Sequence, residues 1–271
     1  MIAGQQSNAA VLVSTYNRPK ALDLVLEGLS LQTVKPDQVV IGDDGSTDET
    51  TQVIDKWRAL GLSIEHCWHE DRGFRKTVIM NQAIRNAGAD YLIFMDGDCI
   101  PFPSFVEDHL AFRQSGCVLA GGRILASKDL TRDLESRAQR FPEISRFDWW
   151  KLSLTGKINR WTPLVKLPDG AWRLRQSMKW ELLRGCNFSV DRTSLVSVNG
   201  FDETIDGWGM EDSDLAVRLI NLGLKIKSLR FAAPQLHLWH KEEDRSKLHR
   251  NVDFLNDTIR TRRIRALKGL S

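Results

Sequence analysis

The first third of the chain alternates short apolar runs with amphipathic stretches, and no other feature constrains the fold as strongly. Residues 10–14, 39–43, 63–69 and 91–96 are the apolar runs, and 20–32, 48–60 and 78–87 lie between them as amphipathic segments. Strand-length runs separated by helix-length segments predict an α/β architecture, a Rossmann-like and mostly parallel sheet flanked by helices. Within 20–32, Leu22, Val25, Leu26 and Leu29 fall at i, i+3, i+4 and i+7, which puts them on one helical face. Ser46 with Glu49 reads as a capping box opening the next helix.

In wound sheets of this kind ligands sit beyond the carboxyl ends of the strands. Those ends read STYNRP, DDGS, HEDRGFR and DGD. Pro101 and Pro103 close this half, and a helix over 103–115 and a strand over 118–122 are predicted to follow. Residues 125–184 lose clear periodicity, hold five of the nine tryptophans and read as an insertion or flap. Between Arg137 and Arg184, eleven Lys or Arg face four Asp or Glu, so the modest formal charge of +3 is unevenly spread and points to an anionic partner. Order returns at RGCNFSV, with a turn at Asn199 and Gly200 and a helix over 210–222 whose Leu215, Ala216, Leu219 and Ile220 share a face. A last strand over 225–231, the run HLWHK and a charged helical tail complete the chain.

An apolar content of 42% suits a globular core. No run approaches the roughly 18 apolar residues of a spanning helix. The opening MIAGQQSNAA lacks the basic and apolar regions of a secretory leader. The expected location is cytoplasmic. Cys67, Cys99, Cys117 and Cys186 form no CxxC pair and are expected to be buried free thiols rather than a disulfide framework.

Two carboxylates separated by one glycine end the strand YLIFMDGD. Asp96 and Asp98 repel each other, and a hard divalent ion shared with substrate phosphates answers that repulsion. Taken alone, the tripeptide also reads as a solvated turn. Asp43 and Asp44 end the preceding strand before Gly45, where a carboxylate can accept from a base or ribose, or simply cap a helix. Trp208 stands between Gly207 and Gly209 and offers an indole face to a sugar. Glu211 and Asp212 follow at a helix start, where the amino terminus stabilises a carboxylate able to take a proton, or the pair merely caps.

STYNRP, DDGSTDET, GFRKTVIMNQAI, MDGD and GWGMEDSDL, in that order, resemble the family 2 glycosyltransferases of GT-A fold, and the likeness covers most of residues 9–240. The stretch from RGCNFSV through GWGMED to HLWH is similar to the carboxyl-terminal segment shared by galactosyltransferases and bacterial chondroitin polymerase-like enzymes. The resemblance implies that Thr15, Tyr16 and Arg18 line a nucleotide pocket, that Asp44 with Asp43 contacts the base, and that Asp96, followed by Gly97, faces the ribose. It implies that Asp98 holds Mn2+ or Mg2+ against a diphosphate, with His240 and His237 at i−3 as further ligands. Asp212 would be the catalytic base and Glu211 a partner of donor or acceptor sugar. Arg72 or Arg75 would approach phosphate, or simply be solvated on its loop, in a segment where His69 stands in place of the usual Gln.

The organisation implied is a nucleotide-sugar-binding half over 1–124, the insertion over 125–184, an acceptor and catalytic half of the same domain over 185–240, and a basic helical tail over 241–271. The expected activity is inverting transfer of a sugar from a nucleotide diphosphate donor, most often a UDP-sugar, to a hydroxyl of a glycan or lipid-linked glycan, as in polysaccharide biosynthesis. Peripheral contact with the inner face of a membrane is expected and a nucleic-acid partner is not. Two alternatives stand beside this: a sugar-nucleotide hydrolase, and a non-catalytic nucleotide-sugar or glycan-binding protein of the same fold. A nucleotidyltransferase is disfavoured because STYNRPK lacks a glycine-rich phosphate loop, and a dehydrogenase because no G-x-G-x-x-G follows a strand.

Overall fold

A computed structural model of the chain describes residues 8–161, 164–241 and 244–271. Residues 1–7, part of the opening stretch read for a leader, lie outside the described residues, as do 162–163 of the predicted insertion and 242–243 of the tail.

Strands β1 (Ala9–Thr15), β2 (Gln38–Asp43), β3 (Ile64–Trp68) and β4 (Tyr91–Asp96) are joined by helices α1 (Pro19–Ser30), α2 (Asp48–Ala59) and α3 (Lys76–Asn86). They pair in parallel, β2 with β1 and β3 and β1 with β4. Successive side chains of a strand point to opposite faces. Val11, Val13, Ile93 and Met95 therefore join the core under α1 and α2, while Ala10, Leu12, Leu92 and Phe94 join the core under α3. Helices on both faces explain why β1 and β4 are apolar without alternation. Phe94 also stacks on Phe188 with ring centroids 4.2 Å apart, and Phe94→Ala costs about 3–5 kcal/mol.

The chain continues through β5 (Cys99–Pro101), α4 (Phe105–Phe112), β6 (Cys117–Ala120), β7 (Ile124–Leu125), α5 (Lys128–Glu135), α6 (Arg146–Leu154), β8 (Asn187–Asp191) and α7 (Arg192–Ser197). Helix α8 (Glu211–Asn221), β9 (Lys225–Ser228), β10 (Gln235–His237) and α9 (Leu248–Thr261) follow. Among the described residues, one sheet runs β3-β2-β1-β4-β8-β6-β9, with β8 antiparallel to both neighbours, and a second runs β5-β10-β7.

Several sequence expectations need correction. The Ser46–Glu49 capping box does not form: α2 starts after Thr47, and Ser46 Oγ instead accepts from the Asn17 amide at 2.8 Å. The helix expected over 103–115 spans only Phe105–Phe112, and the strand over 225–231 stops at Ser228 and is not the last, because His237 lies in β10. The stretch read as unperiodic carries an amphipathic helix, α5, whose Leu130 and Leu134 are buried in the same core as Trp149 and Leu152. All four cysteines are free and buried. Among the described residues no helix is long and apolar enough to cross a membrane.

Candidate active site

From β1 the chain winds outward to β3 and then returns to place β4 on the other side of β1, so the crevice between β1 and β4 is the switch point of the sheet. Strand register sets Ser14 beside Asp96 and Thr15 beside Asp43 at the carboxyl ends. Ser14 Oγ donates to Asp96 at 2.8 Å, and the Gly97 amide donates to the Ser14 carbonyl at 2.7 Å. A Cβ at Gly97 would come within 3.0 Å of that carbonyl and of Thr15, so glycine lets the acidic turn press against β1. Lys76, the first residue of α3, donates to Asp96 at 2.7 Å. Burial pushes the Asp96 carboxyl up, but the Lys76 charge and the bonds from Lys76 and Ser14 outweigh it and hold the group below the usual range.

Asp98 reaches a different set of partners because β5 pairs antiparallel with β10, His237 opposite Cys99. The Asp98 carboxylate lies 3.7 Å from His237 Nε2 and 3.5 Å from His240 Nε2, and it accepts from Arg18 at 2.8 Å. His240 Nδ1 faces the Lys241 carbonyl at 2.7 Å and so donates to it, which fixes the ring with Nε2 turned toward the carboxylate. Burial pushes the His237 imidazole down, toward its neutral form. One ligand atom from each of Asp98, His237 and His240 can be chosen so that all lie within 4.8 Å of one another. A carboxylate and two imidazoles, one with its second nitrogen bound to a carbonyl, are a donor set suited to a divalent ion such as Mn2+.

These groups open into one cavity of ≈ 530 Å³. Thr15, Tyr16, Arg18, Asp44 and Phe74 line it beside Asp96, Gly97 and Asp98, and Trp208 and Glu211 line it with Trp239 and the two histidines. Asp44 is held by the Arg75 amide at 2.8 Å and by His69 at 2.6 Å, so His69 serves to orient the carboxylate. Tyr16 Oη donates to Asp71 at 2.8 Å.

Three expected residues, Asp43, Arg72 and Asp212, do not line the cavity. Asp43 is fully buried, accepts from the Ser46 amide at 2.8 Å and lies 3.1 Å from His66, so it holds its own turn instead of lining the cavity. Arg72 is exposed and pairs with Glu70 at 2.8 Å, outside the cavity wall.

Glu211 and Asp212 open α8 after a loop that carries positive φ at Gly207 (80°), Gly209 (102°) and Met210 (74°). Such strain in a non-glycine residue persists only when its surroundings enforce it. Asn251 supplies that by donating to the Gly209 carbonyl at 3.0 Å, and the Gly209 amide donates to Glu211 at 3.0 Å. Asp212 does not line the cavity. One of its oxygens accepts from the Gly185 amide at 2.8 Å, and the other is buried with no hydrogen-bond partner among the described residues. A Cβ at Gly185 would collide with this carboxylate. Burial, then the adjacent Asp212, pushes the Glu211 carboxyl up to about 7, and burial likewise raises Asp212.

Sequence reading missed Lys76, Arg123, Trp239 and Arg245, all lining the cavity. Lys76 had a signal: it sits in GFRK at the start of a helix whose amino end faces DGD. Arg123 follows β6 in a loop with no distinguishing pattern.

The family model described as Glycosyl transferase family 2 matches residues 10–179, and that described as the N-terminal domain of galactosyltransferase matches 171–241. The chain is 30% identical over 224 residues to validoxylamine A glucosyltransferase of Streptomyces hygroscopicus subsp. limoneus, covering 78% of this chain and 47% of that protein. It is 27% identical over 238 residues to chondroitin synthase of Escherichia coli, covering 82% and 34%. The chain thus spans half or less of the length of these relatives. Among solved structures, S. aureus TarS 1-349 in complex with UDP-GlcNAc is similar with a TM-score of 0.58, 20% identity and coverage of 87% and 59%. Mannosyltransferase PcManGT from Pyrobaculum calidifontis, in complex with GDP-Man and Mn2+, is similar with a TM-score of 0.53, 18% identity and coverage of 86% and 56%. These structural likenesses identify the fold as GT-A.

Proposed function

Because the chain belongs to glycosyl transferase family 2, we propose that it moves a sugar from a nucleotide diphosphate, most simply a UDP-sugar, to a glycan hydroxyl with inversion at the anomeric carbon. The observation that carries this reading is the convergence of Asp98, His237 and His240 on one cavity that Asp44, Asp96 and Glu211 also enter. The UDP-GlcNAc and GDP-Man complexes of the structural neighbours support the donor class, and the Mn2+ in one of them supports the cation.

In this reading Asp98, His237 and His240 hold Mn2+ or Mg2+, which when bound supplies positive charge against the departing diphosphate. Thr15, Tyr16 and Arg18 flank the nucleotide, Asp44 accepts from the base, and Asp96, fixed by Ser14 and Lys76, accepts from the ribose. Trp208 offers its face to a sugar. Asp212, one oxygen anchored by Gly185 and the other unpaired, takes the acceptor proton as the acceptor oxygen bonds to the anomeric carbon and the bond to the diphosphate breaks. Glu211, with a carboxyl near neutrality, binds a sugar hydroxyl as donor or acceptor.

The acceptor is proposed to be a glycan or lipid-linked glycan, and a membrane surface the place where it is met. Phe147, Trp150 and Leu154 stay exposed at i, i+3 and i+7 of α6, and Lys151 Nζ lies 4.4 Å above the Phe147 ring, a mixed aromatic and basic face suited to headgroups. Flotation with anionic liposomes and its loss in Trp150→Ala test that contact.

The donor is tested by thermal shift with nucleotide sugars in the presence of Mn2+ or of a chelator, since a ligand raises stability with the logarithm of its saturation. A shift that needs the cation supports the reading, and equal indifference with cation or chelator removes it. Proton NMR of the product tests inversion, and a retained configuration rejects the in-line role of Asp212.

A further inference from the structure

Two cysteines lie directly behind the cation-binding turn. Cys99, the first residue of β5, and Cys186, the residue before β8, are 0% and 1% exposed, and each offers a sulfur within 4.8 Å of the other and of an Asp96 oxygen. Neither belongs to the transfer chemistry. Their contacts nevertheless reach into it: the Cys99 thiol donates to Asp98 at 3.6 Å, and Arg123 of the cavity wall donates to Cys186 Sγ at 3.4 Å. Cys186 is also the neighbour of Gly185, whose amide anchors Asp212. The remaining cysteines, Cys67 and Cys117, are also buried and free, and neither belongs to this cluster.

We propose that Cys99 and Cys186 are an oxidisable dithiol, and that closing it to a disulfide loosens the grip of Asp98 on its divalent ion. The thiols are already neighbours, so a shift of a few ångströms brings the sulfurs to the bond length of about 2.05 Å. A small oxidant of the peroxide class enters through the cavity, whose wall includes Asp96, Asp98 and Arg123. The Cys186 sulfur, hydrogen-bonded by Arg123, attacks one peroxide oxygen, the O–O bond breaks, and a sulfenic acid and one water result. The Cys99 sulfur then bonds to the Cys186 sulfur, the S–O bond breaks, and the departing hydroxide leaves as a second water with the Cys99 proton. Two thiols and one peroxide become one disulfide and two waters.

That proton is the one Cys99 now donates to Asp98. Its loss removes an outer partner of the carboxylate, and the new bond draws the start of β5 toward β8, moving the turn that carries Asp98. Loss of an outer partner weakens metal binding by about 10–100-fold. The cation half of the proposal rests on the reading of Asp98 given above, whereas the disulfide half does not.

The test is peroxide treatment of the full chain followed by peptide mass mapping, with Mn2+ affinity measured from the paramagnetic resonance of the free ion. The expected result is a Cys99–Cys186 linked peptide lighter by two hydrogens and reversed by dithiothreitol, with Cys67 and Cys117 still reduced and Mn2+ affinity at least about tenfold weaker. Cys186→Ser should form no link and keep its Mn2+ affinity through the same treatment. Separate sulfinic acids at the two positions, equal oxidation of all four cysteines, or a linked protein with unchanged affinity would each overturn the proposal. If the reduced chain holds no Mn2+ at all, the reading of Asp98 fails and the coupling with it, while the link stands or falls on the mass alone.

Discussion

The two acidic pairs at this site are surrounded in different ways. Asp96 and Asp98, on the β4–β5 turn, are met by Lys76 at 2.7 Å and Arg18 at 2.8 Å, with two imidazoles beside Asp98. Among the described residues, the side chains of Glu211 and Asp212, at the head of α8, receive hydrogen bonds from the backbone amides of Gly209 and Gly185 and from no side chain. The first arrangement keeps Asp96 charged despite burial, whereas at the α8 pair burial outweighs the pull of the Lys76 charge, which makes no hydrogen bond there, and pushes both carboxyls up. A carboxylate paired with fixed cations is a poor proton acceptor and a good electrostatic anchor. One whose proton affinity has been raised toward neutrality is suited to proton transfer. In the proposed reading the two pairs share one site because glycosyl transfer asks for both tasks.

The contrast is most sharply broken at Asp212. Asp212→Asn should lower turnover by about 10²–10⁴-fold while donor binding, followed by calorimetry with Mn2+ present, stays within a factor of about three. Unchanged turnover would show that the α8 pair is not the proton acceptor. The same residue predicts a pH profile. As the proposed base Asp212 would work charged, and burial raises its carboxyl above the ordinary aspartate value of about 3.9, so turnover should be lost as pH falls through that raised value. A profile flat down to the ordinary value would remove burial as the device that tunes this pair.

Next in size is Asp98→Asn, which in the proposed reading removes a ligand instead of an outer partner. Mn2+ affinity, read by titration of the free ion, should fall by more than the about 10–100-fold typical of an outer-shell change. Turnover at saturating Mn2+ should recover in part, which Asp212→Asn cannot do at any concentration.

The same contrast explains what could be read from the chain before its structure. The wound sheet was legible because β1 through β4 carry their burial in contiguous apolar runs, and the strand ends named Thr15, Tyr16, Arg18, Asp44, Asp96 and Asp98, all of which enter the cavity. Asp43 misled because adjacent residues at a strand end point to opposite sides: Asp44 turns to the cavity and Asp43 to His66. Arg72 misled because a basic residue on a loop has no pattern that fixes its direction. Lys76 and Gly185 went unread for a different reason. Their importance is a tertiary relation, an ammonium set against Asp96 from twenty residues away and an amide set against Asp212 from twenty-seven, and neither leaves a trace in local periodicity.

Lys76→Met tests the cationic side of the comparison through stability. The variant leaves a largely buried carboxylate with Ser14 as its remaining side-chain donor and should cost about 2 kcal/mol in urea unfolding. Asp96 has a native value below its unfolded one. Its contribution is therefore present above the unfolded value of about 3.9 and lost as pH falls through the native one. In Lys76→Met that acid-side loss should shrink or vanish, because the cation that lowers the native value is gone. The smallest effect is expected at Arg72. Its guanidinium is exposed and pairs with an equally exposed Glu70, so both charges are well hydrated whether or not they meet. Arg72→Ala should change unfolding free energy by less than about 0.5 kcal/mol and leave the donor KM unaltered. A rise in donor KM of tenfold or more in Arg72→Ala would mean that the His69–Arg75 loop swings over the diphosphate when donor binds, and that fixed cations on the Asp96 side do not act alone.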